Sequence, residues 1–310
     1  MTRKKIVVVG SVNVDFAVRA PRLPVEGETV SRAKFGIFFG GKGGNQAVAA
    51  ARLGVPTSII ARIGDDEFGK QLRRSLREAG VNVRAVQTAR KVHTGTAFVI
   101  TGQRGTNQIV VAPGANATLG VADLVRNQSL LRSAGLILAQ LEVPQPPIAK
   151  LAGMAHGYGV PFILDPALAR KLPLSLLRRV SILTPNETEA CFLTGRKPKR
   201  LDRRSGAQLC RRLLKLGPRI VILKLGGQGA LVAEYGREVV HVPGFRVEAV
   251  DTTAAGDAFN GALAVALLED ATVPEAVRFA NAAAALSVTK QGAQPSLPTR
   301  RAVLSFLRRQ

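Results

Sequence analysis

Ile6-Val7-Val8-Val9-Gly10-Ser11-Val12-Asn13-Val14-Asp15 runs from four consecutive β-branched residues through a glycine into polar side chains. An apolar run without alternation fits a strand buried on both faces, the habit of parallel sheets covered by helices. Polar groups directly after such a strand stand where α/β folds bind ligands. Residues 1–5 carry the basic charge that begins a signal peptide. The apolar run behind them is too short for a signal core, and the polar Asn13 and Asp15 cut it off. We read residues 5–11 as the first core strand of a cytoplasmic protein.

The same alternation recurs outward from this strand. Short β-rich apolar runs at 57–63, 135–141, 160–165, 180–184 and 219–225 read as further strands. Helical periodicity fills most of the intervals, at 45–53, 67–79, 148–158, 186–193 and 205–216, and continues at 256–268, 273–289 and 299–307. Strand and helix in alternation predict a mainly parallel central sheet flanked by helices, one α/β domain over residues 1–310. Segments 16–40 and 94–112 break the rhythm with strands and turns and no helix between them. They predict a small β-sheet lid projecting from the domain, suited to covering a site or burying its apolar side in a dimer.

Composition narrows the function. Hydrophobic residues make up 46% of 310, and no apolar run approaches the ~18 residues that cross a bilayer, so no membrane span is expected. The two cysteines, Cys191 and Cys210, sit in helical patterns without a CxxC or a nearby histidine, which argues against a zinc site or disulfide framework. The net charge of +23 is scattered among several clusters, and the chain has no Trp and two Tyr. It therefore lacks the stripe and the stacking platforms of a specific nucleic-acid binder, although a positive field draws in anionic substrates.

Asp251-Thr252-Thr253-Ala254-Ala255-Gly256-Asp257-Ala258-Phe259-Asn260-Gly261 carries the strongest chemical signal. Small residues lead into a helix whose first N–H groups and positive dipole end suit an anion. Asp257 then sits in the first turn, where a carboxylate can accept the proton of an attacking hydroxyl. A helix-terminal acid after a tight turn is the plainer reading, and spacing alone does not choose. Phe39-Gly40-Gly41-Lys42-Gly43-Gly44-Asn45-Gln46 imitates a Walker A loop, but glycine at 43 removes the hydroxyl that binds magnesium, so a P-loop NTPase is rejected. A polar ligand lying against glycine backbone, or a merely flexible loop, remain as readings. Asp15 after the first strand can accept two sugar hydroxyls or form a turn, and Gln140-Leu141-Glu142 ends a strand with the same two options. Asn186 and Glu189, three apart, share a helix face and suit a hydrated magnesium ion, a phosphate or a simple capping box. Leu225-Gly226-Gly227-Gln228-Gly229 is a glycine-rich turn after a strand, weak by itself.

Taken together, these segments resemble the ribokinase (PfkB-type carbohydrate kinase) family over essentially the whole chain, from Gly10 to Ser296. Both glycine-rich signatures stand in the family's order. The resemblance implies ATP-dependent phosphorylation of D-ribose on O5, with Asp257 as base and Ala254, Ala255 and Gly256 as an anion hole. It implies a sugar site at Asn13, Asp15, Gly41, Lys42, Gly43, Gly44, Asn45 and Glu142. For the nucleotide it implies Asn186, Lys224, Leu225, Gly226, Gly227, Gln228, Gly229 and Asn281, with Gly256 and Asp257 beside them. Glu189 would organise Mg²⁺ through water, and a K⁺ ion would lie at Asp251, Thr253, Ser287, Lys290, Gly292 and Ser296, several through backbone oxygen. The lid would also make a homodimer. Lys224 stands where the family often has Thr, and Asn281 where it can have His. Another sugar kinase of the family, for deoxyribose or fructose, and a non-catalytic sugar or nucleotide sensor are the rival readings.

Overall fold

The structure is a computed structural model describing residues 5–102, 107–198 and 200–310. Its strands, in chain order, are β1 (Ile6–Val9), β2 (Asn13–Arg19), β3 (Lys34–Gly40), β4 (Thr57–Gly64), β5 (Val81–Asn82), β6 (Val86–Ala89), β7 (Gly95–Thr101), β8 (Asn107–Ala112), β9 (Leu136–Gln140), β10 (Phe162–Asp165), β11 (Ile182–Leu183), β12 (Ile220–Lys224), β13 (Ala230–Glu234) and β14 (Val240–Val242). The helices are α1 (Lys42–Arg52), α2 (Glu67–Glu78), α3 (Val121–Arg126), α4 (Gln128–Arg132), α5 (Gln145–Tyr158), α6 (Leu174–Leu177), α7 (Glu187–Leu193), α8 (Arg203–Leu214), α9 (Ala255–Leu268), α10 (Val273–Ser287) and α11 (Arg300–Leu307).

The large sheet has the order β14-β13-β12-β11-β10-β9-β1-β4-β5, with β6 also on β4. It is parallel except for β13 and β14, which run antiparallel at one edge. All four β1 residues are fully buried, and their alternation divides the core. Ile6 and Val8 pack on the side of α1, α9 and α10. Val7 and Val9 pack on the side of α5 and α8. From β1 the chain first builds outward through β4 and later in the other direction through β9. The strand order therefore reverses between β1 and β9, and a crevice at the carboxyl ends of strands at such a reversal is where open α/β sheets bind ligands.

The expected strands and helices are present, with shifted ends. α1 begins at Lys42, not at residue 45, because its opening amides find acceptors far away in sequence. Lys42 N donates to Glu142 Oε2 at 3.0 Å and Gly44 N to the Ser11 carbonyl at 2.9 Å. α5 starts three residues early, since Pro146 and Pro147 occupy first-turn positions where their missing N–H costs nothing. β5, β6, α3, α4, α6 and the β13–β14 edge were not expected. They are short pieces whose order comes from tertiary packing, and local periodicity is faint in them.

The two irregular segments form the separate sheet β3-β2-β7-β8. Its β2 begins at Asn13, three residues before the expected boundary, and ends at Arg19, so Ala20 and Pro21 lie outside it. The turn expected between β7 and β8 falls largely on residues 103–106, outside the described residues. Register sorts the two faces: Asp15 is paired with Phe38 and Ala97, whereas Phe16 is paired with Ile37 and Phe98. Directly paired residues share a face, so Asp15 and the Phe16 cluster look in opposite directions.

Candidate active site

The crevice collects side chains from β2, α1, β9, β10, β12 and α9. Gly41 makes this possible at the junction of lid and helix. Its φ is 80°, and a Cβ there would lie 2.7 Å from Asn13 N, so a larger residue would push α1 off the β1–β2 connection. At the other side α1 meets α9 through Gly261, where a Cβ would stand 2.5 Å from Ala49 Cβ. This close approach brings Asn45 and Gln46 onto Asp257.

Asp257 occupies the third position of α9 and is 3% exposed. Asn45 Nδ2 donates to its Oδ2 and Gln46 Nε2 to its Oδ1, both at 2.9 Å. Burial pushes its carboxyl above the usual range. The field of Asp165 adds to that rise, and Lys42 with the two amides works against it. Ala254, in front of the helix, has φ 61°, a left-handed geometry unusual for a residue with a Cβ. It aims the first amides of α9 outward. Ala255 N reaches the Thr252 carbonyl at 3.3 Å, while the N–H groups of Gly256 and Asp257 have no acceptor among the described residues. Two free amides at the start of a fourteen-residue helix make an anion site. Lys224 Nζ lies 3.6 Å from the position of a Cβ on Gly256, adding a cation to it.

On the lid side Asp15 is mostly buried, and its Oδ1 has no hydrogen-bond partner among the described residues. Desolvation, then Glu142 and Asp257, push its carboxyl up to about 7. Asn45 Oδ1 is a second buried acceptor without a donor among the described residues. Burial lowers the Lys42 ammonium, but the surrounding Asp257, Glu142, Asp165 and Glu189 outweigh that and raise it overall, so it carries its charge. Glu142 accepts at Oε2 from Ser11 Oγ at 2.6 Å as well as from Lys42 N. It caps α1 whatever else it binds. Arg170 in turn donates to the Leu141 carbonyl beside it.

Next to β12 the capping box at Asn186 is present: Asn186 Oδ1 accepts from Glu189 N at 2.8 Å, and Asn186 N donates to Glu189 Oε2 at 2.8 Å. Burial, and then Asp165, raise the Glu189 carboxyl. Lys224 bridges to Asn186 through its backbone and donates from Nζ to Asp165 Oδ1 at 3.1 Å. Gly226, Gly227 and Gln228 form an exposed 3-10 turn closed by Leu225 N on the Gly229 carbonyl at 2.8 Å. Asn281 stands on α10 with its amide committed to the Val242 and Pro243 carbonyls at 3.2 and 3.1 Å. It thus braces the neighbouring loop and offers only its oxygen. Of the residues expected around K⁺, Asp251, Thr253 and Gly292 are joined by hydrogen bonds. Asp251 accepts from Thr253 N and Gly292 N, both at 2.9 Å, and Lys290 N donates to the Ser287 carbonyl at 3.2 Å. Burial would raise Asp251, but these hydrogen bonds hold it below its ordinary value. Ser296 caps the adjoining turn by donating to the Ala293 carbonyl at 2.8 Å.

Two polar residues of the crevice, Asp165 and Asn116, were not singled out from the sequence, and Gln46 and Gln140 stood there only as end members of two longer motifs. Gln46, Gln140 and Asp165 are buried beside Asp257, and Asp165 stands at the carboxyl end of a parallel strand, a signal that could have flagged it. Asn116, 1% exposed, pairs through its amide with both the N–H and the carbonyl of Val12 and donates to Asn13 Oδ1 at 2.7 Å. That contact holds the Asn13 oxygen and leaves its nitrogen without an acceptor among the described residues. No local pattern reveals a partner 103 residues away.

A buried carboxylate beside free helix-start amides, under a lid that brings a second carboxylate, Asp15, defines a phosphotransferase acting on a hydroxylated small molecule. The chain belongs to the pfkB family of carbohydrate kinases, whose description it matches over residues 3–300. It is 40% identical over 305 residues to the ribokinase of Haemophilus influenzae, covering 98% of this chain and 99% of that one. It is 37% identical to the deoxyribokinase of Salmonella typhi, covering 95% of each. The structure of Arabidopsis thaliana ribokinase complexed with ribose and ATP superposes with a TM-score of 0.90 at 37% identity over 98% of both chains.

Proposed function

We propose that this chain transfers the γ-phosphoryl group of ATP to the 5-hydroxyl of D-ribose, giving ribose 5-phosphate and ADP in the cytoplasm. The observation that carries it is the hydrogen bond joining Asn45 to Asp257, because it sets the proton acceptor against a residue whose Oδ1, like that of Asp15, is a buried acceptor lacking a donor among the described residues. Sugar hydroxyls supply such donors. The relative bound to ribose and ATP has the same fold at 37% identity. Similarity alone does not separate ribose from 2-deoxyribose, since relatives of both names lie within a few per cent of each other in identity. An ATP-coupled assay over ribose, 2-deoxyribose and fructose, in K⁺ and in Na⁺, tests the reading. Ribose is expected to show a kcat/KM at least about 10²-fold above 2-deoxyribose, as in sites built to bond a hydroxyl, and lower activity in Na⁺. Equal use of the two pentoses would move the substrate to deoxyribose, and binding without ATP consumption would make the chain a sensor.

In this reading Asp257 takes the proton of the 5-hydroxyl as that oxygen attacks the γ-phosphorus in line. The amides of Gly256 and Asp257, behind the Ala254–Ala255 turn, hold the γ-phosphoryl oxygens, and Lys42 and Lys224 spread the growing charge. Asn13, Asp15, Glu142 and residues 41–45 orient the sugar. Asn186, residues 224–229 and Asn281 hold the nucleotide. The buried Glu189 carboxylate, raised by burial and held by the Asn186 capping box, fits a hydrated Mg²⁺ reached through water, which would neutralise nucleotide phosphates. The Asp251 set offers one carboxylate held ionised, together with hydroxyl and backbone oxygens, and fits K⁺, which would support the anion hole electrostatically.

The lid face that bears Phe16 remains open. Phe35, Phe98 and Val110 on it are 64%, 50% and 67% exposed, and Phe16 stacks on Phe35 and Phe98 with centroids 6.0 and 5.4 Å apart. Large apolar residues gathered on one exposed face mark an interaction surface, and a homodimer through the lid would bury it. Light scattering is expected to give a dimer for the native chain and a monomer for Val110→Lys, with unchanged melting of the α/β domain. A native monomer at micromolar concentration would refute this arrangement.

A further inference from the structure

We infer that Gln46 is a positioning residue that locks Asp257 to the Asp165–Lys224 ion pair, so that the proton acceptor and the cation facing the phosphate are held in one register. This rests on the kinase reading above, but on different residues. Gln46 is fully buried. Its single amide nitrogen donates to Asp257 Oδ1 and to Asp165 Oδ2, each at 2.9 Å. An ionised carboxylate only accepts, so the nitrogen must face the two acids. The amide oxygen then points the other way and accepts from Gln140 Nε2 at 2.6 Å, which fixes the flip. Asp165 uses its second oxygen for Lys224 Nζ at 3.1 Å, and that ammonium sits over Gly256.

One side chain on α1 thus connects α9, β10 and β12 through buried hydrogen bonds. Both N–H groups of the amide are used. No rotation of Gln46 satisfies one acid without abandoning the other. Buried networks of this kind are rigid when every donor is matched. The pairing also has an electrostatic consequence. Donors to a carboxylate favour its charged form, and a neighbouring carboxylate disfavours it. Gln46 and Asp165 therefore act on Asp257 in opposite directions, the balance already seen at its carboxyl. The other charged groups of this centre are Lys42 on α1, Asp15 on β2, Glu142 after β9, Glu189 on α7 and Lys224 on β12; the glutamine substitutions below leave all of them in place, whereas Asp165→Asn also takes Lys224 out of its ion pair and relieves the repulsion at Glu189.

The test is the pH dependence of kcat in two variants, which reports the protonation of the base in the ternary complex. Gln46→Leu is expected to lower kcat at neutral pH by about 10–10²-fold and to move the acid limb up by about one pH unit. Asp165→Asn is expected to move that limb down and to raise the ATP KM several-fold, because Lys224 loses its partner. The ribose KM should change little in both. Gln140→Leu covers the case in which Gln46→Leu does not fold. The Gln140 oxygen has no donor among the described residues, so its loss is mild, and freeing the Gln46 amide to flip should give a smaller upward shift. Limbs that move in the same direction, or a Gln46→Leu enzyme that only melts lower with an unchanged profile, would overturn the inference. The native enzyme's choice of sugar is read in the separate assay above, and the profiles can be run on whichever sugar it turns over.

Discussion

Asp257→Asn is expected to reduce kcat by about 10²–10⁴-fold while the ATP and ribose KM values stay within a few-fold. The substitution keeps the shape of the side chain and removes its ability to take a proton. Both carboxylate oxygens now accept hydrogen bonds, from Asn45 and Gln46. In the variant one of these donors faces an NH₂ group, so local geometry relaxes at a cost of about 1 kcal/mol. Against that, the native acid is buried and pushed toward its neutral form, and removing a strained charge offsets the lost bond. Melting by circular dichroism should therefore move by only a few degrees. Steady-state kinetics alongside the melt decide the case, and turnover near the native level would remove Asp257 from the chemistry.

The second large effect concerns Asp15. Its carboxyl titrates at about 7 in the folded chain, against 3.8 for an unperturbed aspartate. Its folded pKa is therefore raised above the unfolded one. The corresponding stability is fully present below about 4 and is lost as pH rises through about 7. Asp15→Asn removes that loss, so the variant should be more stable than the native chain at pH 8 by about 1–4 kcal/mol and close to it at pH 4. Function moves the other way. The ionised side chain accepts two hydroxyls, whereas the amide offers one acceptor and a misplaced donor, so the ribose KM should rise by about 10²-fold with little change in the ATP KM. The native ribose KM should also fall between pH 6 and 8, and that dependence should vanish in the variant. A variant that gains no stability at pH 8, or raises both KM values equally, would place Asp15 outside the sugar site.

Much of this protein could be read along the chain. Continuous apolar runs such as Ile6–Val9 require burial on both faces, and burial on both faces requires helices on both sides of a sheet. The segment around Asp257 and the glycine-rich entry to α1 carried the chemistry, because helix starts, small residues and acids are local features. Asn186 and Glu189 formed the capping box that their spacing of three demands. The three-dimensional packing settled everything that depends on partners far apart in the chain. α1 begins at Lys42 because Glu142, 100 residues on, caps it. Asn13 keeps its nitrogen without an acceptor among the described residues because Asn116 holds its oxygen. Gln46 reaches Asp165 and Asp257 across 119 and 211 residues. A hydrogen bond depends on distance and angle in space, and residue order constrains these only within a helix turn or a paired strand. The kind of chemistry was therefore written locally, and the setting of each acid and amide was fixed only by the fold that brings α1, α9 and the strand ends together.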